Sequence, residues 1–329
     1  MRLAVSPKMY KDVSSGITRI SGFSRPFGFD LDCEGRLYVA DMGLHCIFRF
    51  DKDLAMVQCL DGVRGWSNSI EVVAGHIAPR RSCMPMYFNG PHSVAVGGDG
   101  KIFVTTYYEA GVFVLSSAGR LITTLGRGYD SGPRLAGPAT GVLTSERTLC
   151  VTEYSLNAVF RYDVHGMVFE GALGGGKPGF RDVGSCSTGG GPCAFDRPHM
   201  CKSDADGDLV VVDTWNHRLQ KFTPGGQFIG CLGSSSSGWS ENSGDVQSTT
   251  IHGGFNAPVA VSFDDFGRFV VTDWGNNRLL WFNSGGQVTS IEDELDLETP
   301  YDAQVFSGRC VIANSRRGEV LIKSAIGND

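Results

Sequence analysis

Apolar and polar residues alternate along most of the chain in short runs with a period of two. In residues 257–291, which read APVAVSFDDFGRFVVTDWGNNRLLWFNSGGQVTSI, apolar runs are separated by the turn sequences DDFG and NSGG. Alternating β-branched and aromatic residues favour strands, and Gly, Asn and Asp favour the tight turns between them. No segment has a sustained helical period. The pattern therefore predicts four antiparallel strands in a meander.

This unit recurs along the chain at a nearly fixed spacing. Pro198 is followed nine residues later by Gly207 and fifteen residues later by Asp213. The same spacing, exact or with substitutions, starts at Pro26, Pro91, Pro138 and Pro258, and it is one residue shorter from Pro300. Each meander can bury both faces only against neighbouring copies, as it does when the units pack radially around an axis. The sequence therefore predicts an all-β fold, a six-bladed β-propeller of four-stranded antiparallel blades.

The repeats also define the expected boundaries. Residues 1–15 are predicted to be an N-terminal extension and residues 16–326 a single propeller. The expected blades are residues 26–60, 88–126, 135–174, 195–233, 255–292 and 297–326. Blade 6 lacks a fourth strand, and residues 16–22 (GITRISG) are similar to the fourth strand of blade 4 (GQFIGCLG). We expect residues 16–22 to complete blade 6 and close the ring, which leaves no unpaired radial edge.

The repeat resembles a known family. The segment FDRPHMCKSDADGDLVVVDTWNHRLQKFTPGGQFIGCLG is similar to an NHL repeat, named for its Asn-His-Leu consensus, and blades 1 and 5 are also close matches. This resemblance implies a stand-alone NHL propeller and is specific for fold but weak for function. Asp213, Asn216, His217 and Arg218 recur as a polar group after the second strand. We therefore interpret them as structural, with the acidic side chain capping its own turn.

Composition narrows the classes of partner. The chain has 329 residues and a net charge of -6, which argues against binding nucleic acid by bulk electrostatics. No apolar run is long enough to span a membrane, and the N-terminus lacks a secretory signal pattern. We expect a cytoplasmic protein with no cofactor; a mitochondrial presequence is the weaker alternative. The cysteines form no spaced framework and are expected to be free buried thiols, with the redox state of Cys186 and Cys193 left open.

The connections between blades carry the insertions, at residues 61–89, 127–137, 175–196 and 234–256. They are expected on the face where each anchor proline opens the first strand, which we call the top face. Loops on a rigid scaffold commonly carry function. The candidate residues form two sets. Those at the channel mouth are Phe27, His92, His199 and Tyr301. Those of the rim, the candidate protein-binding residues, are Tyr107, Tyr108, Tyr154, Trp215, Trp274, Arg316 and Arg317. The alternative is packing between blades, which is equally favoured for the tyrosines and is preferred for Trp215 and Trp274.

His92 and His199 follow anchor prolines on alternate blades. This arrangement resembles the zinc site of peptidyl-amidating lyases, in which three such histidines ring the channel, but Tyr301 takes the third position here. A neutral tyrosine is a poor zinc ligand. The sequence therefore predicts no metal and no catalytic residue, and His92 and His199 would be the ligands if a metal were bound.

Three hypotheses for function follow. The first is a non-catalytic scaffold that docks a protein partner through the top face. The second is RNA binding, which the resemblance implies because some NHL propellers of tripartite-motif proteins bind RNA. The third is a metal-dependent lyase or hydrolase that uses the channel-mouth histidines. The oligomeric state is left open.

Overall fold

The computed structural model describes residues 9–12, 16–54, 57–60, 65–67, 70–73, 76–79, 88–128, 132–182, 186–233, 238–241, 249 and 253–325. Within these residues, strands are joined mainly by tight turns, and the helical segments are the three-residue 3-10 turns Thr214–Asn216 and Trp274–Asn276. None of the described helical segments has the length and hydrophobicity required to span a bilayer.

The strands are numbered in chain order. The N-terminal strands are β1 (Met9–Asp12) and β2 (Ile17–Ser21). Blade 1 contains β3 (Pro26–Leu31), β4 (Leu37–Asp41), β5 (Cys46–Phe50), β6 (Val57–Leu60) and β7 (Trp66–Ser67). A separate hairpin follows, made of β8 (Ile70–Val73) and β9 (His76–Pro79). Blade 2 contains β10 (Pro91–Val96), β11 (Ile102–Thr106), β12 (Gly111–Leu115) and β13 (Leu121–Leu125).

The remaining blades follow the same plan. Blade 3 contains β14 (Pro138–Leu143), β15 (Thr148–Glu153), β16 (Ala158–Asp163), β17 (Val168–Gly174) and β18 (Lys177–Arg181). Blade 4 contains β19 (Met200–Ser203), β20 (Leu209–Asp213), β21 (Arg218–Phe222) and β22 (Phe228–Leu232). Blade 5 contains β23 (Pro258–Phe263), β24 (Phe269–Asp273), β25 (Arg278–Phe282) and β26 (Val288–Glu292). Blade 6 contains β27 (Pro300–Phe306), β28 (Arg309–Asn314) and β29 (Glu319–Ser324). The predicted all-β, six-bladed propeller is confirmed.

Alternation along each strand builds the core between blades. In β4, Leu37 and Val39 pack into the apolar cluster between blades 6 and 1, whereas Tyr38 and Ala40 pack into the cluster between blades 1 and 2. An apolar cluster of this kind lies at each of the other interfaces between neighbouring blades. The strands are therefore apolar on both faces, because each blade is buried by a neighbour on either side.

The ring is closed as the sequence predicts. Strand β2 pairs with β29 in the register Thr18 with Ile322 and Ser21 with Glu319. Ile20 is fully buried in the cluster between blades 6 and 1. Strand β1 pairs with the other edge of β2, so that blade 6 gains a fifth strand from the segment predicted as an extension. Closure thus couples the two ends of the chain in one sheet.

The insertions do not all remain on the top face, contrary to the expectation from sequence. Strands β7 and β18 are fifth strands that run down the outer edges of blades 1 and 3. There they reach the turn between the third and fourth strands of the next blade, on the bottom face. Trp66 Nε1 donates to Ser117 O at 3.0 Å, and Gly179 N donates to Gly226 O at 2.8 Å. An added strand satisfies backbone groups that the fourth strand would otherwise leave at an edge.

The nine described cysteines are free thiols, Cys186 and Cys193 among them. Seven are buried, as predicted, but Cys33 is exposed and Cys186 is partly buried, contrary to the expectation. Cys46, Cys150 and Cys310 are buried in strands, as predicted. These side chains therefore act as small apolar groups in the core.

The closure generates a testable prediction. Deletion of residues 1–22 removes β1 and β2 and so leaves the edge of β29 unpaired, and the variant is expected to unfold at lower denaturant concentration and with a broader transition. The single change Ile20→Ala is expected to cost about 2–5 kcal/mol because it leaves a cavity in the core. Equilibrium urea unfolding measures both.

The control for this experiment is Arg19→Ala. Arg19 pairs with Glu319 across the same two strands, but its side chain is 28% exposed. Its loss is expected to cost less than about 1 kcal/mol. Equal effects of Ile20→Ala and Arg19→Ala, or a deletion variant as stable as the full chain, would contradict a closing role for β2.

Candidate binding site at the channel mouth

Each second strand ends at the top face in a buried polar residue. In five blades this residue binds the start of its own blade, whereas Thr106 of blade 2 donates to Gly111 O at 3.2 Å. Asp213 accepts hydrogen bonds from Asp196 N at 2.8 Å and from Arg218 Nε at 2.9 Å. Equivalent bonds join Asp273 to Asn256 N at 2.7 Å and Asn314 to Glu298 N at 2.7 Å. The residues at this position are all fully buried: Asp41, Thr106, Glu153, Asp213, Asp273 and Asn314. A buried acceptor of this kind is costly to leave unpaired, so these bonds fix the top of the five blades that have them.

A second residue in the same turn binds the next blade. His217 has φ 52° and accepts a hydrogen bond through Nδ1 from Ala257 N at 2.9 Å. The bonds at the other turns of this kind are His45 with Gly90 N at 3.0 Å, Asn157 with Arg197 N at 2.9 Å and Asn277 with Thr299 N at 2.8 Å. In each case the donor immediately precedes an anchor proline. Short polar side chains tolerate the left-handed conformation that this position requires.

These contacts confirm the structural role predicted for Asp213, Asn216, His217 and Arg218, but they correct its details. Asp41 does cap its own turn, through Gly43 N and Leu44 N. Asp213 and Asp273 make no such capping bond, because their 3-10 turns are closed by the backbone, for example by His217 N donating to Thr214 O at 3.1 Å. The carboxylates instead bind the loop before the first strand.

The residues that follow the anchor prolines in sequence line a cavity at the mouth of the channel. Its volume is about 210 Å³. It is lined by Arg25, Phe27, Met42, His92, Tyr107, Tyr108, Ala139, Tyr154, His199 and Tyr301. All four predicted channel-mouth residues and the three predicted tyrosines thus meet at one cavity. Its lining includes one arginine and no acidic side chain.

His92 and His199 line this cavity, and each has a buried ring nitrogen without a hydrogen-bond partner among the described residues. Their ring centroids are 5.3 Å apart, and each side chain is 7% exposed. His199 Nδ1 bonds Val259 O at 3.1 Å, which leaves Nε2 without a hydrogen-bond partner among the described residues. Nδ1 of His92 also lacks one. Both rings can therefore accept a hydrogen bond from a ligand.

Burial keeps both histidines neutral at physiological pH. It lowers the pKa of His199 to about 4. Burial, followed by the electrostatic effect of His199, holds the pKa of His92 well below its ordinary value. Tyr301 stacks on Phe27 with ring centroids 3.8 Å apart, and burial raises the pKa of its phenol. Apart from Arg25, the cavity lining is thus uncharged and mainly aromatic.

The rim residues divide into two groups. Tyr107, Tyr108 and Tyr154 form an aromatic row, with ring centroids 5.5 Å apart for Tyr107 and Tyr108 and 6.4 Å apart for Tyr107 and Tyr154. Trp215 extends the row, because its Nε1 donates to Tyr154 Oη at 3.0 Å. Tyr108 is 58% exposed and Trp215 is 44% exposed.

The other three predicted rim residues lie apart from this row. Trp274 is partly buried, with its ring centroid 6.5 Å from that of Tyr301. Arg317 binds Asp296 at 2.6 Å and Glu298 at 3.0 Å, and Arg316 lies 3.8 Å from Glu298. None of the three lines the cavity.

Comparison with known proteins agrees with the propeller fold. The NHL-repeat family model matches residues 195–222, which contain β19, β20 and β21. The chain is a six-bladed β-propeller whose fourth blade matches the NHL-repeat model. No curated protein sequence matches it.

Solved structures share the propeller fold at low sequence identity. Virginiamycin B lyase from Staphylococcus aureus has a TM-score of 0.57 and 13% identity, over 94% of this chain and 99% of the lyase chain. A protein of unknown function from Bacteroides thetaiotaomicron has a TM-score of 0.62 and 15% identity, over 97% and 72% of the two chains. An auxiliary nutrient binding protein from the same organism has a TM-score of 0.58 and 11% identity, over 92% and 69%. Identities this low show the fold alone.

Two arginines near the cavity were not predicted from sequence. Arg25 lines the cavity, and its guanidinium carbon lies 5.1 Å from the centroid of the Phe27 ring. Arg197 lies against the rim, 5.3 Å from the Trp215 ring and 5.8 Å from the Tyr154 ring. Both immediately precede an anchor proline. That shared position in the repeat is the signal that could have identified them.

A second cavity lies further down the channel of the propeller and also has a volume of about 210 Å³. Its polar groups bind mainly one another: Lys202 Nζ donates to Gln304 Oε1 at 3.2 Å, and Gln304 Nε2 donates to Asp302 at 2.8 Å. Burial raises the pKa of Asp302 to about 7. This network joins first strands across the axis, which favours a structural role.

The low pKa of His199 predicts how the stability of the propeller depends on pH. The folded-state pKa of about 4 lies below the ordinary histidine value of 6.5, so the unfolded chain binds the proton first as pH falls. The stability that His199 confers is present above pH 6.5 and is lost progressively towards pH 4. The difference in pKa corresponds to about 3 kcal/mol.

The test compares the wild-type chain with His199→Gln by urea unfolding between pH 7 and pH 4. The free energy of unfolding of the wild type, relative to the variant, is expected to fall by about 3 kcal/mol across this range. Subtraction cancels the titration of groups common to both proteins. A constant or growing difference would contradict a buried neutral His199.

Proposed function

We propose that this chain is a non-catalytic binding scaffold that docks a protein partner through the top face of the propeller. The observation that carries the proposal is the row Tyr107, Tyr108, Tyr154 and Trp215, which leads from the exposed rim into an aromatic cavity. Tyrosine, tryptophan and arginine supply most of the binding energy in protein interfaces, and they do so in partly enclosed, desolvated positions. The row consists of three tyrosines and a tryptophan, and it leads from the exposed rim into the cavity.

Tyr108 is the best anchor in the row. Its ring covers Gly90, where an added Cβ would approach the ring to within 2.5 Å, and more than half of the side chain remains exposed. Tyr107 is less exposed and also contacts the blade 3 side, near Gly137. Truncation of Tyr108 therefore removes mainly exposed surface, whereas truncation of Tyr107 also removes packing between blades.

The proposal predicts that Tyr108→Ala loses partner binding without losing stability. An interface anchor is expected to cost about 2 kcal/mol or more of binding free energy when truncated. The midpoint of thermal unfolding is expected to change little. Affinity capture with the intact chain, followed by mass spectrometry and quantified per folded molecule, gives the readout.

The matched control is Phe266→Ala. Phe266 is 78% exposed in the turn between β23 and β24, on the bottom face. Partner recovery is expected to be unaffected by this change. Equal recovery with Tyr108→Ala and wild type would reject the rim as the interface, and loss with Phe266→Ala alone would place the interface on the bottom face.

A second candidate function is a metal-dependent lyase or hydrolase that uses His92 and His199. The observation in its favour is the pair of neutral imidazoles, each with an unpartnered nitrogen at the cavity. Against it, no group of three or more His, Cys, Asp and Glu side chains among the described residues is arranged to hold a metal ion. The third position is Tyr301, whose raised pKa keeps the phenol protonated.

This candidate is tested by the metal content of protein purified without chelators. We expect no stoichiometric zinc by elemental analysis, because two imidazoles and a protonated phenol fall short of the usual three or four ligands. Zinc that co-purifies with the wild type and is absent from the double variant His92→Ala, His199→Ala would reverse this expectation and favour an enzyme.

RNA binding is the less favoured hypothesis. Arg316 and Arg317 pair with acidic side chains, and the chain has a net charge of -6. Arg80 and Arg81, the basic pair in the first insertion, lie outside the described residues. Affinity for RNA rests on many phosphate contacts, which an acidic surface opposes.

A further inference from the structure

We infer that the channel mouth recognises an acidic peptide segment, with Arg25 and Arg197 binding its carboxylates and the two histidines accepting its N–H groups. This inference rests on the proposed function and assigns the chemistry of the partner.

The two arginines occupy one position of the repeat on opposite sides of the ring. Arg25 precedes the anchor proline of blade 1, and Arg197 precedes that of blade 4, three blades away in a ring of six. The other residues at this position are Gly90, Gly137, Ala257 and Thr299. Positive charge is thus placed at two facing points of the mouth, and uncharged residues fill the positions between them.

Neither arginine has an acidic partner among the described residues. Other buried or top-face arginines do: Arg218 binds Asp213 at 2.9 Å, Arg278 binds Asp273 at 2.8 Å, and Arg317 binds Asp296. Arg25 and Arg197 instead lie against aromatic rings, at 5.1 Å from Phe27 and 5.3 Å from Trp215. Guanidinium groups stacked in this way keep their N–H donors available for a carboxylate.

The backbone of both residues is fixed, which reduces the entropy lost on binding. Arg25 N donates to Asp41 Oδ1 at 3.0 Å, and Arg197 N donates to Asn157 Oδ1 at 2.9 Å. The acceptors are buried side chains of the second-strand turns. A preorganised donor gains affinity because less conformational freedom is lost when the ligand arrives.

The cavity between the arginines suits a peptide. No acidic side chain lines it, so a carboxylate meets no like charge there. Nδ1 of His92 and Nε2 of His199 are buried acceptors that lack partners among the described residues, and the N–H groups of a peptide backbone can supply them. The aromatic walls can cover its apolar side chains.

Two arginines favour an acidic peptide over a nucleic acid. A peptide can place one or two carboxylates at chosen points, whereas RNA carries a phosphate at every nucleotide along its length. Most of those phosphates would face a chain whose net charge is -6 without a basic partner. Local charge complementarity at two points therefore matches a peptide.

The test measures binding of the intact chain to two fluorescent pools of short peptides at about 0.15 M salt, where screening is physiological. One pool has Glu fixed at alternate positions and random residues between. The other has Gln at the same positions. We expect the Glu pool to bind about tenfold more tightly, and the double variant Arg25→Glu, Arg197→Glu to abolish that preference.

The matched control is Arg120→Glu, the same charge reversal at an exposed arginine beside the turn between β12 and β13 on the bottom face. It is expected to leave the preference for the Glu pool intact. The inference is overturned if neither pool binds, if both bind equally, or if Arg120→Glu has the same effect as the double variant. It is also overturned if an unstructured RNA pool displaces the Glu pool and its own binding is lost in the double variant.

Affinity capture of the protein partner distinguishes failure of this inference from failure of the proposed function. If Tyr108→Ala abolishes recovery and the arginine variant does not, docking at the rim stands and acidic recognition falls. If neither variant affects recovery, the proposed docking face is itself rejected. Loss of recovery with both variants, with the thermal midpoint unchanged, is the expected result.

Discussion

The backbone N–H that precedes each anchor proline is held by a side chain, and the geometry of the channel mouth depends on this bond. In four blades the acceptor belongs to the preceding blade: His45, Asn157, His217 or Asn277. Blades 2 and 6 have Ala110 and Gly318 at that turn position, and neither side chain can accept a hydrogen bond. The following blades use their own carboxylates instead, with Glu153 binding Gly137 N and Asp41 binding Arg25 N.

The two arrangements carry different backbone conformations. The donors that bind the preceding blade have positive φ values: Gly90 68°, Arg197 50°, Ala257 48° and Thr299 49°. Arg25 and Gly137, which bind their own blade, are not left-handed. Positive φ is unfavourable for residues such as Arg and Thr, and the interblade bond offsets that cost. These bonds therefore fix both the orientation of each first strand and the side chains that flank its proline.

The local pattern of the sequence was sufficient for the fold but not for these contacts. The period-two runs and the spacing from Pro198 to Asp213 predict the blades, because both arise from neighbours within a meander. His217 and Ala257 are 40 residues apart, and His45 and Gly90 are 45 apart, so no local spacing indicates their bonds. The fifth strands were missed for another reason. Strand β18 (KPGFR) lacks an apolar alternation, since it adds to an exposed edge and buries little.

The sequence likewise predicted one part of the candidate site and missed another. The channel-mouth residues Phe27, His92, His199 and Tyr301 follow from the position after the proline, and the structure brings all four to one cavity. Arg25 and Arg197 were missed because a charged residue before a proline is ordinary on a surface. Their significance depends on what surrounds them, namely aromatic rings instead of carboxylates. That difference is a property of the assembled ring.

The chemistry of the mouth follows from what the ring does to its histidines. His199 Nδ1 bonds a carbonyl oxygen of the next blade, that of Val259, and this bond sets which nitrogen remains free. The same constraint would orient a metal ligand. Tyr301, at the third channel-mouth position, then decides whether the histidines hold a metal ion or accept hydrogen bonds from a ligand. A histidine there would add a third free nitrogen, whereas Tyr301 stacks flat on Phe27 and keeps its proton. Two neutral acceptors beside stacked rings favour a ligand that donates hydrogen bonds, and the facing arginines add the preference for negative charge.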